Sequence, residues 1–362
     1  MKPHLMIVTG SFRRGGFERR LKYLVEWLDQ NQAHLNITLF FQSRSGPNRP
    51  RAGIGKSIFW PSHLFERYGL TFIHNFLFYI FIKLLSKSRP LTLLVGHQSI
   101  MAVLAHNKRI VNDPDIRVVY CLVNNLEYSP YRKKVYSGLV NCDLVIFNSK
   151  RHMTTLKNQI SELNAIYVPN QISVPDSSLM QRRPLEGGLK LAACGTFSTQ
   201  KNLDLLIPVA KSLEELFVGV ELTLFGSGHS MTGFQAKVKD AGVGCIKIIE
   251  NADFKTFVSG FDLFLLPSIY EGYPNVLLEA QLAGVPSIAF AIDYGPDEII
   301  ADSVSGFLVE QICPEAFLQK MLVVIDDLDS FKKGAKENAG KLKEKHSDQN
   351  TVLPISQLIK VG

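Results

Sequence analysis

Two successive α/β domains, each built on a parallel sheet, are predicted by three observations. Strand-like runs alternate with segments of helical periodicity, a stretch rich in Pro, Ser, Arg and Gly at 174–188 interrupts the alternation, and the alternation then restarts. At 362 residues the chain exceeds what one hydrophobic core usually organises, and its 46% hydrophobic content is that of a globular protein. The reading assigns 1–172 to a first domain, 173–188 to a linker and 189–346 to a second domain. The tail, 347–362, is expected to return to the first domain.

In the first domain, strand-like runs occur at 5–8, 36–41, 92–95, 117–122 and 143–147. A helix over about 17–29 places Leu21, Leu24, Val25 and Leu28 on one face, as packing on a sheet requires. The segment 70–89 contains Phe76-Leu77-Phe78-Tyr79-Ile80-Phe81-Ile82, followed by Lys83, Lys87 and Arg89. It is too short to cross a bilayer, and it fits two readings: a peripheral membrane contact with basic residues near anionic head groups, or a buried helix. In the second domain the runs are 189–193, 221–225, 245–249, 261–266 and 287–290, and Leu203, Leu206, Ile207, Ala210 and Leu213 mark an amphipathic helix. The lysine-rich stretch 331–345 reads as a solvated helix face. Alternating elements imply parallel sheets with right-handed crossovers, which hold ligands beyond the carboxyl ends of their strands.

Charge divides the chain. Residues 1–170 hold 23 Lys and Arg against 9 Asp and Glu, or +14, and 171–362 hold 17 against 24, or −7. A basic half serves nucleic acid, anionic lipid or a phosphorylated substrate, and no nucleic-acid motif is present. Gly55-Lys56-Ser57 lacks the earlier glycine of a phosphate-binding P-loop, because position 50 is Pro50. Five cysteines without paired spacing argue against a disulfide framework and a zinc cluster, so a reducing cytoplasm is expected. Met1-Lys2-Pro3-His4 runs into a strand with no signal-like stretch, and export by that route is not expected.

The most specific segment is Glu271-Gly272-Tyr273-Pro274-Asn275-Val276-Leu277-Leu278-Glu279. Pro267-Ser268 ends the run 261–266, and Pro274 suits the first turn of a following helix, so Glu271 falls in the loop and Glu279 within the helix. Val276, Leu277, Ala280 and Ala283 share a face that brings Glu279 close to the buried seam, and Gly284 is placed to cap the end. An ionised acid there needs donors, which the two hydroxyls of a ribose supply. The opening amides at Asn275 and Val276 form an anion site beside Glu271 that suits a diphosphate. Taken singly, each glutamate reads as an ordinary solvated acid; taken with their neighbours they read as two ends of one nucleotide-sugar site.

Other motifs fall after strands. Gly15 and Gly16, in Gly10-Ser11-Phe12-Arg13-Arg14-Gly15-Gly16, allow backbone to approach a phosphate or simply make a turn. Lys201, after Gly195-Thr196-Phe197-Ser198-Thr199-Gln200, is read as opening the amphipathic helix, where a cation opposes the dipole unless an anionic ligand answers it. Gly226 in Phe225-Gly226-Ser227-Gly228-His229 is placed to line the same site. His97, after Leu93-Leu94-Val95-Gly96, is placed to bond a sugar hydroxyl or accept a proton, or to serve structure alone.

With these pieces in order, the chain resembles the retaining glycosyltransferases of family 4, a GT-B group using nucleotide diphosphate sugars. The resemblance rests on 266–280 with its Glu-x7-Glu spacing, Ala283-Gly284-Val285-Pro286, Gly295-Pro296-Asp297-Glu298 and Gly306-Phe307-Leu308-Val309, supported by Gly15-Gly16-Phe17-Glu18-Arg19, Val168-Pro169-Asn170 and 195–201. It implies two Rossmann-like βαβ domains facing each other across a cleft, and transfer of a hexose-type sugar to a saccharide or lipid-linked acceptor in surface polysaccharide, lipopolysaccharide or glycolipid biosynthesis. No metal is expected, and the enzyme would be cytoplasmic or peripheral on the cytoplasmic membrane face. By resemblance Glu271 meets the donor sugar, Glu279 the ribose, Lys201 the diphosphate, the Gly15-Gly16 turn the phosphates, and His97 the first domain's catalytic position. Gly272, Tyr273, Pro274, Asn275, Val276 and Gly226 complete the donor set. Thr196 stands where the family usually has an arginine, and Arg13 or Arg14 is the expected compensation. Two rivals remain open: a sugar-nucleotide epimerase of the same architecture, and a weakly catalytic sugar-nucleotide-binding subunit.

Overall fold

The computed structural model describes residues 4–9, 16–32, 35–41, 56–59, 78–84, 91–104, 107–172, 188–250 and 252–360. The chain forms two compact units, one of 1–171 with 346–362 and the other of 172–345. The linker expected at 173–188 lies outside the described residues except for Gly188. So do Gly15, Arg13 and Arg14, and the flanks of the apolar segment at 70–77 and 85–89.

In the first unit, β1 (His4–Thr9), β2 (Asn36–Phe41), β3 (Lys56–Phe59), β4 (Leu91–Val95), β5 (Ile116–Leu122), β6 (Leu144–Phe147) and β7 (Ala165–Tyr167) form one sheet in the order β3-β2-β1-β4-β5-β6-β7. Every pairing is parallel. Because helices cover both faces, β1, β4 and β6 are buried along their whole length, which is why they read as unbroken apolar runs. Met6, Val8, Leu93 and Val95 join the core on one face, whereas Leu5, Ile7 and Leu94 join Leu21, Leu24, Val25 and Leu28 of the helix Gly16–Asn31 on the other. The helix Asp348–Lys360 adds Val352 and Ile355 to that second core, with Tyr23 Oη donating to Asp348 Oδ1 at 3.1 Å. Within 78–84, Phe78 and Ile82 are buried, and Lys83 Nζ is held by Asp113 Oδ2 at 2.7 Å. The described part of the apolar segment thus packs as a core helix, with Ile80 and Leu84 left outside.

The second sheet comprises β8 (Lys190–Cys194), β9 (Glu221–Phe225), β10 (Ile246–Ile249), β11 (Leu263–Leu266), β12 (Ser287–Phe290) and β13 (Gly306–Val309), in the order β10-β9-β8-β11-β12-β13 and parallel throughout. Strand order reverses between β8 and β11, and in open parallel sheets ligands bind beyond the carboxyl ends of the strands at such a reversal. In the first sheet the equivalent reversal lies between β1 and β4.

Three sequence expectations need correction. Lysines 332–345 do not make the helix a purely solvated element: Leu328–Lys345 buries Phe331, Ala335, Asn338, Ala339 and Leu342 along one stripe. The helix Asn275–Leu282 is buried on more than the face carrying Leu277 and Ala280, since Leu278, Gln281 and Leu282 are buried too. Lys201 does not open the long helix. It ends a 3-10 turn, Thr199–Lys201; Asn202 then takes a left-handed conformation at φ 49°, and the α-helix begins at Leu206. The helix-dipole argument for Lys201 therefore falls.

Candidate functional site

The candidate site lies beyond the carboxyl ends of the paired strands β8 and β11, where the strand order reverses. After β8 the chain turns at Gly195, whose amide donates to Phe225 O at 2.9 Å, and Phe197 N donates to Ser227 O at 3.1 Å. This fastens the loop after β8 to the loop after β9. The contact tolerates only glycine at Gly226, because a Cβ there would sit 1.9 Å from Gly195 O. A Cβ at Gly195 would stand 3.1 Å from Lys201 Cγ and Cδ, so the lysine stem lies across the Gly195 backbone.

Its ammonium ends on Glu271. Lys201 Nζ lies 2.5 Å from Glu271 Oε1, with side chains 18% and 8% exposed. The intervening backbone is stitched in both directions: Ile269 N donates to Gln200 O at 3.0 Å, and Gln200 Nε2 donates to Tyr270 O at 3.0 Å while approaching Glu271 Oε2 at 3.5 Å. A buried carboxylate is expensive unless it is paired and hydrogen-bonded, and these neighbours supply both. Gln200 was not singled out from the sequence. Its only signal is its place beside Lys201.

Behind Glu271, Gly272, Tyr273 and Pro274 are buried and pack against Gly295, which has φ 102° and where a Cβ would stand 2.5 Å from Pro274 Cδ. The Tyr273 ring belongs to the core beside Leu277 and Ile299, with Lys345 Nζ 5.7 Å from its centroid. The phenol is thus spent on packing rather than offered at the surface of the turn. Pro274 caps the helix Asn275–Leu282, accepting from Leu277 N at 3.1 Å and Leu278 N at 3.2 Å. Asn275 and Val276 are partly exposed, Glu279 is 2% exposed, and Gly284 closes the helix at φ 72°.

That helix is held in place by polar groups in the core. Asn338 Nδ2 donates to Gln281 Oε1 and to Ile299 O, both at 2.8 Å, and Gln281 Nε2 donates to Ser305 O at 3.0 Å and Ser287 Oγ at 3.1 Å. Neither residue carries a sequence signal.

The structure thus brings Lys201, Glu271 and Gly226 together through Gly195. Thr196 is exposed, and its methyl lies over Gly228, where a Cβ would be 3.1 Å away. It provides a hydroxyl where the family that the chain resembles usually has a guanidinium. In the first unit, Gly16 is the first residue of its helix, and His97 follows β4 at the strand reversal. His97 keeps part of its surface exposed, its carbonyl accepts from Met101 N at 2.9 Å, and the partial burial of its ring lowers its pKa from the ordinary value. Among the described residues no group of three or more His, Cys, Asp or Glu is arranged to hold a metal ion.

Residues 188–327 match the family model described as Glycosyl transferases group 1, a span that contains Lys201, Gly226, Glu271 and Glu279. The chain is 24% identical over 241 residues to a poly(glycerol-phosphate) alpha-glucosyltransferase of Bacillus subtilis, which covers 63% of this chain and 35% of that protein. It therefore spans about a third of the length of this curated relative. Among solved structures, TarM superposes with a TM-score of 0.77 at 12% identity, covering 99% of each chain. The pneumococcal O-GlcNAc transferase GtfA, solved with UDP and GlcNAc, superposes with a TM-score of 0.64 at 17% identity, covering 77% of this chain and 59% of that one. With two parallel-sheet α/β units and these structural neighbours, the chain has the GT-B fold, and its second unit carries the group 1 glycosyl transferase pattern over residues 188–327.

Proposed function

We propose that the chain is a retaining glycosyltransferase that moves a hexose-type sugar from a nucleotide diphosphate sugar to a saccharide or lipid-linked acceptor in surface-polymer or glycolipid synthesis. The observation that carries this reading is the Lys201–Glu271 pair at the strand reversal of the second sheet. One cation and one carboxylate meet there, with Gly195 and Gly226 letting the loops after β8 and β9 pack directly on each other and under the Lys201 stem. The match to group 1 glycosyl transferases supports the reaction class. The UDP and GlcNAc held by the pneumococcal neighbour support UDP as the nucleotide.

The chemistry follows from charge. A diphosphate arriving beside Lys201 draws the ammonium off Glu271 and gains a counter-ion for its own leaving-group oxygen. The bond from the anomeric carbon to that oxygen breaks, with its electron pair going to the diphosphate. The acceptor hydroxyl bonds the same face of the carbon, and its proton passes to a diphosphate oxygen. Glu271, released from Lys201, orients the sugar and stabilises the positive charge that develops on it. Glu279 holds the ribose hydroxyls, and the backbone of Gly272, Asn275 and Val276 faces the phosphates. No metal is required by this scheme, because Lys201 and backbone amides carry the charge. His97 remains the proposed acceptor-side residue, with Gly15 and Gly16 as a further phosphate turn.

Thermal-shift measurement against nucleoside diphosphates and their sugars tests the donor assignment, since a ligand of the folded state raises Tm with its affinity and concentration. A shift with one base and none with the others names the donor class. Absence of any shift at millimolar concentration removes the reading. Incubation with donor alone separates the rivals: an epimerase changes the sugar without an acceptor, a transferase gives at most slow hydrolysis. Tight binding with no turnover on any acceptor would instead favour a binding subunit, the outcome the exposed Thr196 makes worth testing.

A further inference from the structure

The loop after β5 and the helix that follows it form a rigid ledge on the carboxyl edge of the first sheet, the edge that also carries His97. Asn125 caps the turn Leu126–Tyr128 by accepting from Glu127 N at 3.0 Å. Ser129 Oγ donates to Gln98 Oε1 at 2.5 Å, which ties this loop to the residue next to His97. Glu127 is fixed from two sides, by Arg132 at 2.6 Å and by Tyr136 Oη at 2.8 Å. On this braced scaffold Tyr128 is 53% and Tyr131 38% exposed. Lys133 and Lys134 follow on the helix Arg132–Leu139, both exposed and in no ion pair among the described residues, and the first turn of that helix contains no acid.

Two costs coincide here. Two large aromatic rings keep part of their surface in water on a loop held by side-chain bonds, and adjacent cations at a helix start oppose its dipole. A ligand with apolar ring faces and negative charges relieves both at once. Tyrosine offers a flat apolar body with a polar tip, which suits the C–H face of a sugar ring, and ammonium groups suit phosphodiester or carboxylate substituents on the same chain. The surplus of +14 over residues 1–170 favours a polyanion over a neutral glycan.

We propose that this ledge docks the acceptor and that the acceptor is an anionic saccharide chain, its rings resting on Tyr128 and Tyr131 and its charges on Lys133 and Lys134. The word acceptor rests on the transferase reading above; the anion-binding ledge is tested separately from it. The probe is low-mass dextran sulfate, compared with neutral dextran of equal length, with affinity to the full chain measured by titration calorimetry at two salt concentrations. Wild type is expected to prefer the sulfated chain and to lose affinity as salt rises. The double variant K133Q/K134Q weakens that binding roughly fivefold and flattens its salt dependence, and Y131A weakens it by a similar factor. K157Q, at the far end of the helix Lys150–Gln159, serves as the control and leaves binding unchanged. Equal affinity for both dextrans overturns the proposal, as do unchanged binding in the double variant and in Y131A, or equal weakening by K157Q. A wild type that binds dextran sulfate through the ledge yet shows no Tm shift with nucleoside diphosphates overturns the donor reading instead.

Discussion

Lys201 Nζ and Glu271 Oε1 meet at 2.5 Å across 70 residues of sequence, and the contact is mostly shielded from water. The pair joins the turn after β8 to the loop after β11, so breaking it affects both the site and the fold. Lys201→Ala leaves a carboxylate buried without its cation, at a cost of about 2–4 kcal/mol, less than a fully dry pair because Gln200 and partial exposure remain. Replacing both partners, as in Lys201→Met with Glu271→Leu, removes the stranded charge and is expected to restore much of the urea midpoint. On the proposed mechanism turnover is expected to fall by roughly two to three orders of magnitude in both variants, since Lys201 would no longer neutralise the leaving group. A double variant no more stable than Lys201→Ala would show that the pair contributes packing rather than charge.

Glu271→Gln separates binding from chemistry. Glutamine keeps the shape and an acceptor oxygen toward Lys201 but lacks the charge that, in the proposed mechanism, stabilises the sugar. Affinity for the nucleoside diphosphate is expected to stay within about threefold of wild type, while transfer falls roughly a hundredfold or more. Parallel losses in the two measurements would assign Glu271 to site construction alone.

Gly226→Ala probes the seam between the loops after β8 and β9. The added carbon meets Gly195 O at 1.9 Å, and since the obstacle is backbone, no rotamer change relieves it. Gly195 must move, and Lys201, whose stem lies on it, moves with it. A loss of about 1–3 kcal/mol in unfolding free energy is expected, with a matching fall in nucleotide affinity. Gly260→Ala, where a Cβ meets nothing within 4 Å, is the comparison, and equal effects at the two positions would remove the seam argument.

What could be read from sequence follows from how local each signal is. β1, β4 and β11 announce themselves because strands covered on both faces are continuously apolar, whereas β3 and β7 are short edge strands with no such run. The placement of Glu271 in a loop and Glu279 in a helix is legible because a strand, a turn and a helix start lie within one short segment. Their surroundings were not. The Gln200 bonds to Tyr270 and the Asn338 bonds to Gln281 cross 70 and 57 residues, which no periodicity encodes. Lys201 was misplaced on its element because the left-handed Asn202 splits what reads as one helix into turns. Tyr273 reads as a loop residue but serves as core, since Gly295 folds back onto its turn.

His152 sets a pH limit on the first unit. It lies in the helix Lys150–Gln159, 1% exposed, its ring edge-on to Phe147 at 5.3 Å, and burial lowers its pKa to about 4. The unfolded chain binds a proton at this histidine near pH 6.5, so the unfolded state takes up protons that the folded state refuses. The stabilising contribution is therefore complete above about pH 6.5 and is lost as pH falls toward 4, at up to about 1.4 kcal/mol per pH unit. Urea unfolding followed by a probe in the first unit should show its midpoint dropping between pH 7 and 4.5. The other buried histidines of that unit, His4 and His346, are present in every variant, so the difference between wild type and His152→Leu isolates this site. The variant is expected to lose less stability over the same interval, by roughly 2–3 kcal/mol. Equal slopes would place the proton uptake on another group.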